Sequence, residues 1–247
     1  MVTTRHAAGP PNWSPMPRRT RRAVLVFGAL VVVAGACGDW GESDLEPLVP
    51  VATGTDPTGG DGAQTAASAE TVAMIGDSIT FLSTELLRAG LAGTGLDVLV
   101  IDAQIGRRIA VGSDGQPYPG TDIVEFIANS NPPDVWVIAL GTNDIGQYPD
   151  AAEFGAQVQA LLGLIPSAAP LVWVDTWKGS RLEETRLVNE TLHALLDGRD
   201  DAIVVDWASH ADDVGIVSSD GVHPTEGGTA VFSQVVADGV ATLLASL

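Results

Sequence analysis

Three short glycine-containing blocks place a serine, an amide, a carboxylate and an imidazole in a fixed order along this 247-residue chain. They are Gly76-Asp77-Ser78, Gly141-Thr142-Asn143-Asp144 and Asp220-Gly221-Val222-His223, with Gly106 between the first and second. A serine hydroxyl becomes a nucleophile when a histidine takes its proton and a carboxylate holds the imidazole in place. Ser78, His223 and Asp220 supply those groups, and Pro224 fixes the turn behind the histidine. The side-chain amide of Asn143, with the backbone N–H groups of Gly106 and Ser78, offers three donors for an oxyanion. The chemistry implied is acyl transfer through a serine ester. Read singly, each block also serves as a helix cap or a surface turn. Gly112 competes with Gly106 for the glycine role. Of the other histidines beyond Cys37, His193 lies in a helical pattern and His210 in a polar run, so both are expected at the surface.

The elements that would gather these blocks are legible from Thr71 onward. Strand-like apolar runs recur at Val72–Ile75, Val98–Asp102, Val135–Leu140, Leu171–Asp175 and Ile203–Asp206. Helical patterns separate them at Phe81–Leu91, Asp122–Asn129, Ala151–Ile165, Leu182–Leu196 and Gly228–Leu244. Alternation of this kind predicts a parallel five-stranded sheet covered by helices on both faces, doubly wound and of flavodoxin-like size. Continuous apolar strands suit burial on both faces. In such sheets the ligand sits beyond the carboxyl ends of the strands, which is where Ser78, Gly106 and Asn143 fall. Trp136, Trp173 and Trp207 lie in or just after strand runs and are expected in the core. Trp177, just past the fourth strand, is a candidate pocket wall, and Arg107 a candidate substrate contact or a solvated arginine.

The first seventy residues read differently. Arg5, Arg18, Arg19, Arg21 and Arg22 precede an apolar stretch, Ala23–Ala36, too short for a comfortable membrane span, and Cys37 follows at once. A basic region, a short apolar region and small residues before a cleavage point describe a secretory signal peptide over residues 1–36. Val33-Ala34-Gly35-Ala36-Cys37 resembles a bacterial lipobox, with Ala34 where a larger aliphatic residue is usual, so Cys37 is the candidate for lipidation. Thr20-Arg21-Arg22 also suits a twin-arginine signal. Residues 37–70 are rich in Gly, Asp, Thr and Pro and read as a flexible linker with a reach of roughly 30 Å. Beyond Cys37 stand seven Lys and Arg against 31 Asp and Glu, a net −24. That charge argues against nucleic acid or anionic lipid as a partner. Cys37 is the single cysteine, so no intramolecular disulfide supports the core.

The blocks in order resemble the SGNH (GDSL-type) hydrolase superfamily over residues 71–247. The resemblance implies an α/β/α sandwich and esterase chemistry with no metal or other cofactor. Ser78 is then the nucleophile, His223 the base and Asp220 its partner. Gly106 and Asn143 form the oxyanion hole, with Asp77 and Asp144 holding their loops. The run Ile101-Asp102-Ala103-Gln104-Ile105-Gly106-Arg107, with Val205-Asp206-Trp207 and the last block, is similar to extracytoplasmic SGNH domains of cell-surface O-acetyltransferases. In those the domain is fused to a polytopic membrane acyltransferase, a part this chain does not contain.

The expectation is an exported, lipid-anchored esterase that removes small acyl groups, acetyl foremost, from a carbohydrate or cell-envelope ester. Its rivals are an O-acyltransferase working with a separate membrane acyl donor, a lipase, and a glycan-binding protein that has lost catalysis.

Overall fold

The computed structural model describes residues 69–112 and 115–247. The signal peptide, Cys37 and nearly all of the linker, as read from the sequence, lie outside the described residues.

Five strands form one parallel sheet: β1 (Thr71–Gly76), β2 (Asp97–Ala103), β3 (Val135–Ala139), β4 (Leu171–Val174) and β5 (Ala202–Val205). Their order is β2-β1-β3-β4-β5, the doubly wound arrangement anticipated above. Six α-helices connect or follow them: α1 (Ser78–Gly93), α2 (Gly120–Ser130), α3 (Ala151–Leu162), α4 (Leu182–Leu196), α5 (Ala208–Ala211) and α6 (Glu226–Ser246). β3 is buried throughout, because helices cover both of its faces.

Alternate residues of the strands feed two separate cores. On one face Val72, Met74, Val137 and Val172 meet Leu87 and Leu91 of α1 and Phe232, Val236 and Val240 of α6. On the other, Ala73, Ile75, Ile138 and Trp173 meet Val124 of α2, Phe154 and Val158 of α3, and Val188 and Leu192 of α4. The three expected core tryptophans are fully buried. Trp207 packs edge-on against Phe232, ring centroids 5.0 Å apart, and Trp173 donates its Nε1–H to the Leu140 carbonyl at 3.1 Å. By length and composition α6 could cross a membrane, but here one side of it is core.

Three helices start earlier than their apolar periodicity indicates: α2 by two residues, at Gly120, and α1 and α6 because a side chain caps the first turn. α1 begins at Ser78 instead of Phe81 because the Asp77 carboxylate accepts the Ile79 N–H at 2.9 Å and so caps the first turn. α6 begins at Glu226 because the Thr225 hydroxyl accepts the Gly228 N–H at 3.0 Å.

Candidate active site

β1 ends at Gly76 and α1 begins at Ser78, so the chain passes from strand to helix through Asp77 alone. Only glycine fits before that corner: a Cβ on Gly76 would overlap the Thr80 side chain. The serine is therefore held at a helix N-terminus, where backbone N–H groups lack intrahelical partners.

The histidine arrives on a segment that folds back on itself. Thr225 N–H donates to the Ile216 carbonyl at 2.9 Å, and Ser218 N–H to the His223 carbonyl at 2.8 Å. Gly221, at φ +70°, makes the reversal. His223 Nε2 consequently lies 2.9 Å from Ser78 Oγ, and His223 Nδ1 lies 2.7 Å from Asp220 Oδ2. With its proton on Nδ1 the ring donates to Asp220 and accepts the serine hydroxyl at Nε2. The other Asp220 oxygen accepts from Ser218 Oγ at 2.8 Å, Val222 N–H at 2.9 Å and His223 N–H at 3.0 Å. The His223 side chain first, and then these N–H groups, hold the Asp220 carboxyl well below the usual carboxylate range. It stays an anion when an imidazolium forms beside it. Ser218 had no motif to flag it; a hydroxyl two residues before a turn aspartate is a weak signal.

Asn143 sits in a short 3₁₀ turn, Thr142–Asp144, after β3. Gly141 enters that turn at φ +128°, a region closed to other residues. Asn143 Nδ2 donates to Asp77 Oδ2 and to the Arg107 carbonyl, each at 3.1 Å. Both amide hydrogens thus have an acceptor here, so the amide must release one to serve an oxyanion. Asp77 is buried, and desolvation raises its carboxyl to about 7, opposed by the Ile79 N–H. Asp144 is also raised by burial, against the Ile109 N–H at 3.1 Å and Arg108. Asp77 therefore ties the serine turn to Asn143, and Asp144 ties the Asn143 turn to the segment after β2.

Gly106 lies in the turn that follows β2, at φ +78°, where Arg107 N–H reaches back to the Gln104 carbonyl at 3.1 Å. Gly112 is set against the backbone of Gln116 and Pro117, whereas Gly106 directly precedes Arg107, whose carbonyl accepts from Asn143. Arg107 departs from both roles read in the sequence, since it is only 3% exposed and so neither solvated nor open to a substrate. Its guanidinium donates to the Gly76 carbonyl at 3.1 Å and the Asp102 carbonyl at 2.8 Å, and pairs with the Asp102 carboxylate. Arginine is rarely buried unless so paired, and no spacing rule reveals it.

Trp177 is also placed differently from the expected pocket wall. It is half-buried against the core and lines a cavity of about 410 Å³ with Leu182, Asn189, His193 and Ala208. Neither Ser78 nor His223 lines that cavity. Its segment meets the catalytic loop at Gly179, whose N–H donates to the Gly221 carbonyl at 2.9 Å. His193 and His210 are exposed, as read from the sequence. Among the described residues no cluster of three or more His, Cys, Asp or Glu is arranged to hold a metal.

A third buried carboxylate stands at the same sheet edge. Asp175, just past β4, accepts the N–H groups of Trp207 and Ala208 at 2.8 Å each. Desolvation first, with Asp206 nearby, raises it to about 7 despite those bonds. Below about pH 4 the carboxyl is neutral whether the chain is folded or not, and burial costs nothing. Between about pH 4 and 7 only the unfolded chain ionises, so stability falls as pH rises. Asp175→Asn keeps an oxygen for both N–H groups and removes that loss. We expect the variant to gain about 1–3 kcal/mol at pH 8 and little at pH 4, read by urea unfolding. Asp77 titrates in both proteins and cancels in the difference. An equal gain at both pH values would show that Asp175 is not the titrating group.

The sequence profile of the GDSL-like Lipase/Acylhydrolase family matches residues 74–231. No curated protein matches the chain. Among solved structures, the C-terminal catalytic domain of Streptococcus pneumoniae peptidoglycan O-acetyltransferase A is 20% identical, with a TM-score of 0.54, covering 73% of this chain and 95% of that one. Est24, a carbohydrate acetylesterase from Sinorhizobium meliloti, is 19% identical with a TM-score of 0.55, covering 70% and 99%. An aryl esterase from M. smegmatis is 18% identical with a TM-score of 0.54, covering 71% and 100%. At these identities the likeness is one of fold. The profile spans most of the sheet and its connections, and the chain belongs to the GDSL-like lipase/acylhydrolase family of the SGNH hydrolase superfamily.

Proposed function

We propose that this protein is an exported, lipid-anchored serine esterase that removes short acyl groups, acetyl among them, from a carbohydrate or cell-envelope ester. The observation that carries the reading is the continuous relay from Ser78 Oγ through His223 to Asp220. His223 Nε2 takes the hydroxyl proton as Ser78 Oγ attacks the ester carbonyl. The N–H groups of Ser78 and Gly106, with the Asn143 amide, receive the negative oxygen. His223 then gives its proton to the departing alcohol, leaving an acyl-serine. Water, activated by the same imidazole, releases the carboxylic acid and restores the serine.

The carbohydrate ester is supported by the names of the acetylesterase and O-acetyltransferase structures that share the fold. The transferase likeness favours a second reading, in which a sugar hydroxyl replaces water in the last step. Turnover of p-nitrophenyl acetate with and without a chito-oligosaccharide tests both. We expect acetate release in either case; acetylated sugar as the main product would establish transfer. The anchor rests on the lipobox-like run before Cys37. A Cys37→Ser protein that still sediments with membranes would overturn it.

A further inference from the structure

The outer face of α1 begins at the proposed nucleophile and is apolar where it meets it. Residues three and four positions on from Ser78 share its side of the helix, one turn further along. They are Phe81 and Leu82, 54% and 52% exposed, and Leu86 follows on the same side at 46%. Side chains on a helix lean toward its N-terminus, so Phe81 and Leu82 cover the turn that carries Ser78. The opposite side of α1, with Ile79, Ser83, Leu87 and Leu91, is the one buried in the core.

A second exposed apolar group lies in the turn that is bonded to the end of β1. Ile105, 57% exposed, lies in the turn after β2, whose Gln104 N–H donates to the Gly76 carbonyl at 3.2 Å. Gly76 is two residues before Ser78, so Ile105 flanks the turn from the β2 side. Large apolar side chains left together on a surface mark a binding site more often than those scattered singly. The domain carries many more acidic than basic groups, which makes an uncharged strip beside the catalytic relay the more distinct. Glu85 interrupts the strip at the second turn, between Leu82 and Leu86.

We propose that this strip is the acyl subsite: the apolar chain of the substrate's acid lies over Phe81 and Leu82, with Ile105 as its second wall. The inference rests on the reading of Ser78 as nucleophile and extends it to acyl length. The rise from Ser78 to Leu82 is about 6 Å and to Leu86 about 12 Å, at 1.5 Å per residue. A chain of about six carbons uses the uninterrupted part. An acetyl group is too short to reach it.

The test compares p-nitrophenyl acetate, butyrate and hexanoate on the whole protein. Full burial of a methylene is worth about fourfold in binding, and an open strip gives roughly half that free energy, about twofold. The hexanoate-to-acetate ratio of kcat/KM is therefore expected to be roughly tenfold or more. Phe81→Ser with Leu82→Ser brings the ratio toward one, and Ile105→Ser lowers it in part. Phe126→Ser, at a still more exposed aromatic on α2, leaves it unchanged. A flat or falling series in the parent, or a rise that survives the double variant, overturns the acyl strip while leaving the esterase reading intact. Esters of every length cleaved equally by Ser78→Ala would overturn both.

Discussion

Replacing Ser78 with alanine is expected to lower kcat for p-nitrophenyl acetate by about 10⁴- to 10⁶-fold, with the fold retained. The serine oxygen is the atom that bonds to the acyl carbon, and among the described residues no other hydroxyl meets His223 Nε2. His223→Ala should cost about as much, since Ser78 then has no proton acceptor. Asp220→Asn should cost up to about 10⁴-fold: an amide that donates to Nδ1 turns the imidazole to the wrong tautomer. The losses should not add, because the three groups act as one relay. Asn143→Ala belongs to another step. It removes one oxyanion donor, an effect of about 10²- to 10³-fold on kcat. The same change also frees the Asp77 oxygen and the Arg107 carbonyl that Asn143 now occupies. Rate measurements on the four variants, with circular dichroism to check folding, decide the matter. A Ser78→Ala protein with more than a tenth of the parent activity would place the chemistry elsewhere.

What the sequence showed of this site followed from how each residue acts. Ser78, Asn143 and His223 are fixed by backbone events that leave local signals: a strand ending in glycine, a turn, a proline behind a histidine. Parallel strands with short connections then bring such turns to one edge, so chain order was enough to predict their meeting. The roles of Arg107 and Trp177 were not legible, because they depend on what covers a side chain. The default for arginine is solvent, and only the approach of the Gly76 and Asp102 carbonyls reverses it here. Trp177 follows β4 by sequence, yet the groove it lines faces α4 and α5. The start of α1 was missed by three residues for a related reason: apolar periodicity reports the packed turns, while the cap is polar. The exposure of Phe81 and Leu82 is hidden for the same reason, since helical spacing alone does not say which apolar side faces water.

Arg107→Met should destabilise the domain severely, though no apolar contact is lost. The guanidinium joins the end of β1, through the Gly76 carbonyl, to the end of β2, through Asp102. Methionine fills much of the space but donates nothing, so two carbonyls and a carboxylate lose their partner together. The Asp102 side chain is 37% exposed, so water can recover part of that loss. The buried carbonyls and Asp77 have less recourse: Arg107 also counters the burial that drives the Asp77 carboxyl upward. Removing one partner of a buried charge network typically costs about 3–5 kcal/mol. For a domain of this size that lowers the melting temperature by roughly 10 °C. Arg107→Lys keeps the charge but cannot bridge two carbonyls and a carboxylate, so it should fall between the two. Asp102→Asn in each background separates the ion pair from the carbonyl contacts, because a double-mutant cycle isolates the coupling. Urea unfolding of the four proteins gives that coupling directly. A loss under about 1 kcal/mol for Arg107→Met would mean that the strand ends hold the serine turn without it. A large loss that Asp102→Asn does not reproduce would assign the brace to the Gly76 and Asp102 carbonyls, the first of them two residues from Ser78.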